Sequence, residues 1–412
     1  MLSRSKHGVQ SRVYRRGVFA VLSLVFLIPY AAASESSLSL HGFGTLGLAR
    51  SSSDQVEFVR DLSQPTGIAD HWSGLIDSVI GVQANWRLNP QVELVGQVVS
   101  RYHYDESHKP ELMWAFAKWE PDARMSLRAG RIGADFMMAA DSRLVGYSYL
   151  PVRPSVDFFA PLFFSHFDGV DASLTLPWGD GLLRGKVFYG ATQEKTSGGP
   201  GIWDTDGSPT SGVVLDYLNG AWQFRASSTA ISFADDIKFA PLPEMLRTAG
   251  APFAADVLAT EGTRSCFHSL GAVYDEGPLQ VQIMLNNIRH ETGTFQNSQA
   301  GYLLAGYRVN SITPYVGFSW WKTRYKPYVT GLPNTATFAV LNDQFDYLMH
   351  ASGADQATYS LGARWDAFEN VAFKLQWDAV RGSEASRFPY KNVQSGWNGR
   401  TDVMSLTFNF VF

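Results

Sequence analysis

Hydrophobic and polar residues alternate strictly along the last residues of the chain, DVMSLTFNFVF. One parity holds Met404, Leu406, Phe408, Phe410 and Phe412, and the other holds Val403, Ser405, Thr407, Asn409 and Val411. A period of two is typical of an extended β-strand, because successive side chains leave opposite faces. An apolar strand at a chain terminus needs a partner strand and a cover for its apolar face.

The same alternation recurs from Ser37 to the end of the chain and predicts about sixteen strands. The intervals between these strands are alternately short and long. The short intervals, such as LNPQ, EPDA, GDG and AFEN, are rich in turn-forming residues, whereas the long ones are mostly polar and vary in length. The pattern therefore predicts an all-β meander with short turns at one end and long loops at the other.

This layout is typical of a transmembrane antiparallel β-barrel of about 16 strands, with short periplasmic turns and long extracellular loops. In lipid every backbone N–H and C=O group must be paired within the protein, so the strands must close. We expect the last strand to pair with the first, one parity to face lipid, and the polar parity to face a water-filled lumen. Tryptophans near strand ends would form aromatic girdles. They are Trp72, Trp86, Trp119, Trp178, Trp222, Trp320, Trp365 and Trp377.

The first 33 residues read as a cleaved signal peptide. Five basic residues and no acidic one precede the apolar run GVFAVLSLVFLIPY, and a small-residue cleavage site, AAA, follows it. The apolar run is shorter than the roughly 20 residues that a membrane-spanning helix needs. We therefore expect an exported chain with two parts, a signal peptide at 1–33 and a barrel at 34–412.

Charge and cysteine content narrow the function further. Loss of residues 1–33 would change the formal charge from −4 to −9, which argues against nucleic acid as a partner. The single cysteine, Cys266, excludes an internal disulfide and a thiolate metal cluster. We expect no metal site, no cofactor and no catalytic residues, because the chain has no hydrolase, metalloprotease or phosphate-binding motif.

Taken together, the mature chain resembles the outer-membrane porins of Gram-negative bacteria. The resemblance rests on the alternating strands, the first strand SLSLHGFGTLGL, the segment LRAGRIG before a long third loop, and the late strands ITPYVGFSW and VAFKLQWDAV. The terminal strand with Phe408, Phe410 and Phe412 is similar to the signal that the barrel-assembly machinery reads. The resemblance implies a homotrimer in the outer membrane, in contact with lipid and lipopolysaccharide, that admits small hydrophilic solutes and ions.

The resemblance also implies a pore constriction. In porins the third loop, here about 133–167, folds into the barrel and sets acidic residues against basic residues on the wall, which biases ion choice. The residues implied here are Arg101, Arg128, Arg131, Arg184, Lys186, Asp135, Asp141 and Asp157. Arg225, Arg364 and Lys374 are further basic residues at lumen parity. Each charge is equally compatible with a solvated position on a wet barrel wall.

Other functions remain open at this stage. A substrate-selective channel would suit the aromatic third loop. A lipid-modifying barrel enzyme would need catalytic residues, for which Ser165, His166 and Asp168 supply only the residue types. A plugged structural or adhesive barrel would have the same outer surface. The sequence leaves open the solute, the preference for cations or anions, and sixteen against eighteen strands.

Overall fold

The computed structural model describes residues 37–412 except 163, 199–200 and 238–240, so the predicted signal peptide lies outside the described residues. The strands are β1 (Leu38–Ser51), β2 (Val79–Asn89), β3 (Val92–Arg101), β4 (Glu111–Trp119), β5 (Met125–Gly133), β6 (His166–Trp178), β7 (Gly181–Thr192), β8 (Lys195–Gly198), β9 (Gly201–Asp204), β10 (Ser208–Asn219), β11 (Trp222–Ser232), β12 (Arg264–Glu276), β13 (Leu279–His290), β14 (Asn297–Tyr307), β15 (Ile312–Arg324), β16 (Asp355–Phe368), β17 (Val371–Gly382) and β18 (Arg400–Val411). All of these except β8 and β9 form the barrel.

The barrel is closed, antiparallel and sixteen-stranded, which confirms the predicted fold class and strand number. Each barrel strand pairs with the next barrel strand along the chain, and β1 pairs with β18 with Leu46 opposite Phe408 and Leu48 opposite Leu406. The strands β8 and β9 form a separate hairpin between β7 and β10. In the described part of the chain, no helix has both the length and the apolar character needed to cross a membrane.

The closing strand has the two faces that its alternation predicts. Met404 and Leu406 are exposed on the outer surface, whereas Ser405 and Thr407 are buried on the inner side. The ring of Phe412 lies over Gly42 of β1, where an added Cβ would come within 2.1 Å of the ring. Cover of an edge glycine by a cross-strand aromatic ring is a known way to fix strand register. The seam between β1 and β18 is thus held by side-chain fit as well as by backbone hydrogen bonds.

Exposed tryptophans mark the turn end of the barrel. Trp86, Trp119, Trp178, Trp222 and Trp365 are each between 45% and 65% exposed and lie close to a short turn. Their positions match an aromatic girdle at one membrane interface. The remaining predicted tryptophans lie elsewhere: Trp72 is in the first long loop, and Trp320 and Trp377 lie within β15 and β17.

The eight long loops lie at the other end of the barrel. They are L1 (52–78), L2 (102–110), L3 (134–165), L4 (193–207), L5 (233–263), L6 (291–296), L7 (325–354) and L8 (383–399). The described parts of the loops contain four α-helices and one 3₁₀ helix (Gly146–Ser148 in L3), which the alternation did not predict. The α-helices are α1 (Val156–Phe159) in L3, α2 (Leu242–Thr248) and α3 (Pro252–Val257) in L5, and α4 (Ala339–Ala351) in L7. Leu246, Ala254 and Phe345 belong to a small apolar core that joins the helices of L5 and L7.

The inner wall departs from the predicted water-lined surface. Phe188, Phe267 and Met284 are at lumen parity, yet they are buried in a cluster with Phe136 and Phe158 of L3. The difference arises because L3 enters the lumen and brings its own apolar side chains. Burial of one such side chain contributes roughly 1.5–3 kcal/mol, so this packing offsets the entropy of ordering a long loop.

Candidate functional site: a lumen crossed by the third loop

The first segment of L3 runs along the wall formed by β7, β11 and β12. The carboxylate of Asp135 forms an ion pair with the ammonium group of Lys186 on β7. Arg225 on β11 donates from Nη1 to the carbonyl oxygen of Asp135 at 2.8 Å. The side chain of Met138 then lies against Gly271 of β12. L3 therefore begins its course on one side of the barrel.

A few residues later L3 contacts the opposite wall. Leu144 packs with Phe43, Val79, Val99 and Met113, which belong to β1–β4. Gly146 approaches Thr45 of β1 so closely that an added Cβ would come within 2.2 Å of the Thr45 hydroxyl oxygen. In the order of strands around the barrel, β12 and β2 lie opposite each other. L3 therefore crosses the lumen between Met138 and Leu144, and Ala139 and Asp141 on this crossing are exposed.

Two basic residues of the wall hold the backbone of L3 after the crossing. Lys374 on β17 donates from Nζ to the carbonyl oxygen of Gly146 at 2.6 Å, to that of Pro151 at 2.8 Å and to that of Tyr149. Arg364 on β16 donates from Nη1 to the carbonyl oxygen of Tyr147 at 2.7 Å. Carbonyl oxygens that have left regular secondary structure need such partners when they are buried.

The last part of L3 is fixed by a buried ion cluster. Arg153 is 2% exposed and donates to Asp77 at 2.6 and 3.0 Å and to Asp378 at 3.1 Å. Its second Nη2 hydrogen bond, of 2.6 Å, goes to the hydroxyl of Ser405. This cluster joins L3 to the end of L1 and to the neighbouring strands β17 and β18. Sequence reasoning missed it because it considered only basic residues at lumen parity, although Asp378 has the same parity as Lys374.

The predicted constriction residues do not form a single group. Arg128 pairs with Asp171 of the neighbouring strand, with its Nε 3.0 Å from both carboxylate oxygens. Lys186 pairs with Asp135, and the wall guanidinium groups of Arg128 and Arg225 also act on this carboxylate. Burial raises the pKa of Asp135, but Lys186, Arg128 and Arg225 outweigh burial and lower it below its usual range. Asp135, Arg128 and Lys186 are the part of the predicted set that lies together. Asp141 on the crossing lies near enough for the charges of Asp135, Lys186 and Arg225 to act on it.

The other predicted residues lie at separate places. Arg131 has the parity of the outer wall and binds Asp168 at 2.7 and 2.8 Å. Arg184 lies on β7 opposite Asp216, whose carboxylate is bound by Arg225 at 2.6 Å. Asp157 lies buried in α1.

Arg101 lies at the loop end of β3, in a buried polar cluster that links L1, L3 and L4. Its Nη1 is 3.8 Å from Asp61 of L1 and donates to Ser63 at 2.6 Å. Burial raises the pKa of Asp61, but Arg101, Arg143 and Arg60 outweigh burial and lower it to about 2. Charged side chains thus hold these loops together. The sequence did not predict the cluster, because its residues come from four segments that are far apart in the chain.

The residue types of a hydrolytic triad do not converge. His166 is fully buried, with Nδ1 2.8 Å from Glu194 of L4. The hydroxyl of Ser165 accepts a hydrogen bond of 3.0 Å from Arg143, and Asp168 is bound by Arg131. Within the described residues, no group of three or more His, Cys, Asp or Glu side chains is arranged to hold a metal ion.

No protein-family model matches the chain, and neither does any curated protein sequence. Solved structures do match it. An anion-selective porin from Comamonas acidovorans is 12% identical with a TM-score of 0.53, over 92% of this chain and 100% of the porin. OmpF of Salmonella typhi, solved in complex with daunomycin, is 12% identical with a TM-score of 0.55, over 91% and 97%. The outer membrane channel DcaP of Acinetobacter baumannii is 10% identical with a TM-score of 0.51, over 91% and 97%.

Likeness at these identities concerns the fold alone. The matches extend over nearly the whole chain, and they agree with the closed ring of strands and the pairing of the first strand with the last. The chain therefore has the fold of the outer-membrane porins, a closed sixteen-stranded antiparallel β-barrel.

Proposed function

We propose that this protein is an outer-membrane channel of a Gram-negative bacterium through which small hydrophilic solutes and ions diffuse passively. The observation that carries the proposal is the course of L3, which crosses the lumen of a closed barrel and is bound on both walls. A loop in this position leaves a narrow passage beside it. We therefore propose a conductance well below that of a wide water-filled pore.

The inner wall between L3 and the short turns supports a hydrated vestibule. Gln83, Asn85 and Glu93 are at lumen parity and half-buried, and they form a chain of hydrogen bonds. Lys118 on the next strand lies 4.0 Å from Glu93. Polar and ionised groups on an inner barrel wall are stable when water or a partner solvates them.

The proposed constriction lies where L3 leaves the wall of β7 and β11. It comprises Asp135 and Asp141 of L3 and the wall residues Arg128 and Lys186. Acidic groups on the loop and basic groups on the wall would set up a field across the passage that acts on dipolar and charged solutes. Arg101, Arg131, Arg184 and Asp157 are left out of the proposed constriction, because their contacts lie elsewhere.

The proposed location is the outer membrane. The signal peptide at 1–33 would direct export of the chain and then be cleaved. The terminal residues Phe408, Phe410 and Phe412 would serve barrel assembly. A homotrimer is proposed, supported by the fold and by a solved OmpT of Vibrio cholerae described as a trimer form. Arg289, Lys322 and Arg324 alternate with buried residues near the loop end and are exposed, which suits contact with the phosphates of lipopolysaccharide.

The test is single-channel conductance of the refolded mature chain, residues 34–412, in a planar bilayer. We expect small steps grouped in threes. Lys374→Met removes the donor to three carbonyl oxygens of L3, so we expect larger and noisier steps from a loosened loop. Lys195→Met, which removes an exposed lysine of L4 and leaves L3 anchored, is the matched control and should keep the wild-type step size.

Two results would contradict the proposal. A correctly folded barrel that stays silent in both wild-type and Lys374→Met forms would favour a structural or adhesive barrel. Wide, steady steps in the wild type would contradict the narrowed passage. Hydrolysis of outer-membrane lipid by the silent protein would favour the enzymatic alternative.

A further inference from the structure

A cavity of about 120 Å³ lies between the later part of L3 and the inner wall of β13–β17. An engineered cavity of about 150 Å³ accepts benzene, so this one has room for a molecule of a few non-hydrogen atoms. Ala139 and Ser148 line it and are also exposed, which opens the cavity to the lumen. The cavity lies on the opposite side of L3 from the Asp135–Lys186 pair and is separate from the proposed constriction.

The cavity contains a buried carboxyl group that lacks a cationic partner among the described residues. Asp157 is 1% exposed and receives hydrogen bonds from Ser319 at 2.6 Å and from Gln356 at 2.7 Å. Both donors are neutral, and so is Thr358, whose hydroxyl also hydrogen-bonds to this carboxyl group, so its hydrogen-bond partners bring no positive charge. Burial raises the pKa of Asp157, and the nearby Asp378 raises it further against these hydrogen bonds.

Other groups that line the cavity are also left without partners. The side-chain oxygen of Gln356, a residue that is 6% exposed, has no hydrogen-bond donor. The hydroxyl of Ser155 is buried and unpaired as well. An unpaired buried polar atom destabilises the fold unless a ligand or water satisfies it.

The acidic side chains in and next to the cavity outnumber the basic ones. Arg153 is the cation of the L3 anchor, and it is already shared between Asp77 and Asp378. Asp157 is therefore an additional acidic group that no cation of the described residues balances. Its raised pKa favours the neutral carboxyl group, and a bound cation would favour the ionised form. The rings of Phe159 and Tyr302 also line the cavity, and aromatic faces attract cations.

We propose that this cavity binds the ammonium group of a small organic cation. Asp157 supplies the counter-charge, the Gln356 side-chain oxygen and the Ser155 hydroxyl accept N–H hydrogen bonds, and the rings of Phe159 and Tyr302 contact the carbon chain. The inference deepens the proposed function and rests on it for its biological setting, because it names a solute class that the channel would take up. The binding itself is measured without conduction.

The experiment is calorimetric titration of ethylammonium chloride into the refolded mature protein in detergent micelles, at pH 7 and constant ionic strength. We expect saturable binding to the wild type and a loss of about tenfold or more in Asp157→Asn, because a charge-assisted hydrogen bond is lost. Asp235→Asn, which removes an exposed acidic group of L5 outside both the cavity and the proposed constriction, is the matched control and should bind as the wild type does. Ser155→Ala, a mild change, should weaken binding by a few-fold.

Several outcomes would overturn the inference. They are equal binding by the wild type and a folded Asp157→Asn, no binding by folded wild type, and equal competition by potassium ions or by propionate. If Asp157→Asn does not fold, the same outcomes are judged by comparing Ser155→Ala with Asp235→Asn. A protein that conducts but does not bind ethylammonium overturns this site and leaves the channel proposal, whereas binding without conduction does the reverse.

Discussion

Arg131 and Arg153 form similar ion pairs in different surroundings. Arg131, just before L3, binds Asp168 on the outer parity of the wall, where their side chains are 21% and 35% exposed. Arg153, within L3, binds Asp77 and Asp378, and the side chains of all three residues are at most 6% exposed. A guanidinium–carboxylate pair thus forms a partly exposed contact in one place, whereas in the other it forms a buried contact that joins L3, L1 and β17.

The difference teaches where the geometry of the lumen is decided. A surface pair gains little because water and salt screen it. Loss of one partner from a buried cluster leaves charges that nothing solvates, which is costly even where the whole cluster is no more stable than apolar packing. The position of L3 therefore depends on Arg153 far more than on Arg131, although only Arg131 belongs to a segment, LRAGRIG, on which the predicted resemblance rested.

The largest expected effect is that of Arg153→Met. The substitution keeps a long side chain but leaves Asp77 and Asp378 buried without a cation, so we expect a loss of about 3–5 kcal/mol in the free energy of unfolding. Urea unfolding of the barrel in lipid vesicles, followed by tryptophan fluorescence, measures it. A change below about 1 kcal/mol would show that L3 is held mainly by its apolar contacts.

An intermediate effect on the free energy of unfolding is expected when low pH protonates Asp61, which belongs to the buried cluster formed with Arg101. Its pKa is lowered from 3.8 to about 2 in the folded protein. A lowered pKa stabilises the folded state fully above the unfolded value, and this stabilisation is lost as the pH falls through 3.8 toward about 2. The shift corresponds to roughly 2 kcal/mol.

We therefore expect the wild type to lose about 2 kcal/mol more than Asp61→Asn between pH 5 and pH 2. Unfolding of both proteins across this range measures the difference. Parallel curves for the two proteins would mean that the ionised form of Asp61 is not stabilised in the fold.

The smallest effect is expected from Arg131→Met, the same substitution applied to the surface pair. Loss of its bond to Asp168 should change the free energy of unfolding by no more than about 1 kcal/mol, because the pair is partly exposed. The same urea unfolding measures it beside Arg153→Met. A loss as large as that of Arg153→Met would contradict the comparison and give Arg131 a part in holding L3.

The barrel could be predicted from sequence because its rule is local. Alternation with a period of two, turn residues at short intervals and the apolar face of the last strand depend on residues close together in the chain. The pairing of β1 with β18 was also predictable, since an antiparallel meander in lipid has no other way to remove its edges. The helices of L5 and L7 were not predicted, because each is a short segment within a loop and its helical pattern of apolar residues extends over only a few turns.

The candidate site was predicted only in part. The position of L3 in the order of loops and the pairing of a loop acid with a wall base, seen in Asp135 and Lys186, followed from the resemblance. The anchor at Arg153, the cluster around Asp61 and the cavity beside Asp157 did not. Each joins residues from segments far apart, and their individual positions carry no periodic signal.

The sequence by itself determined that this chain is a closed all-β barrel with an apolar outer surface, long loops at one end and a last strand that seals the first. Strand parity and backbone hydrogen bonding in lipid allow few alternatives. Only the tertiary structure decided that L3 crosses the lumen, which wall charges it neutralises and where it buries a carboxyl group that no cation of the described residues contacts. Those outcomes depend on how a long loop packs against distant strands, and the balance of burial, charge pairing and backbone hydrogen bonds there is set only when the barrel has closed.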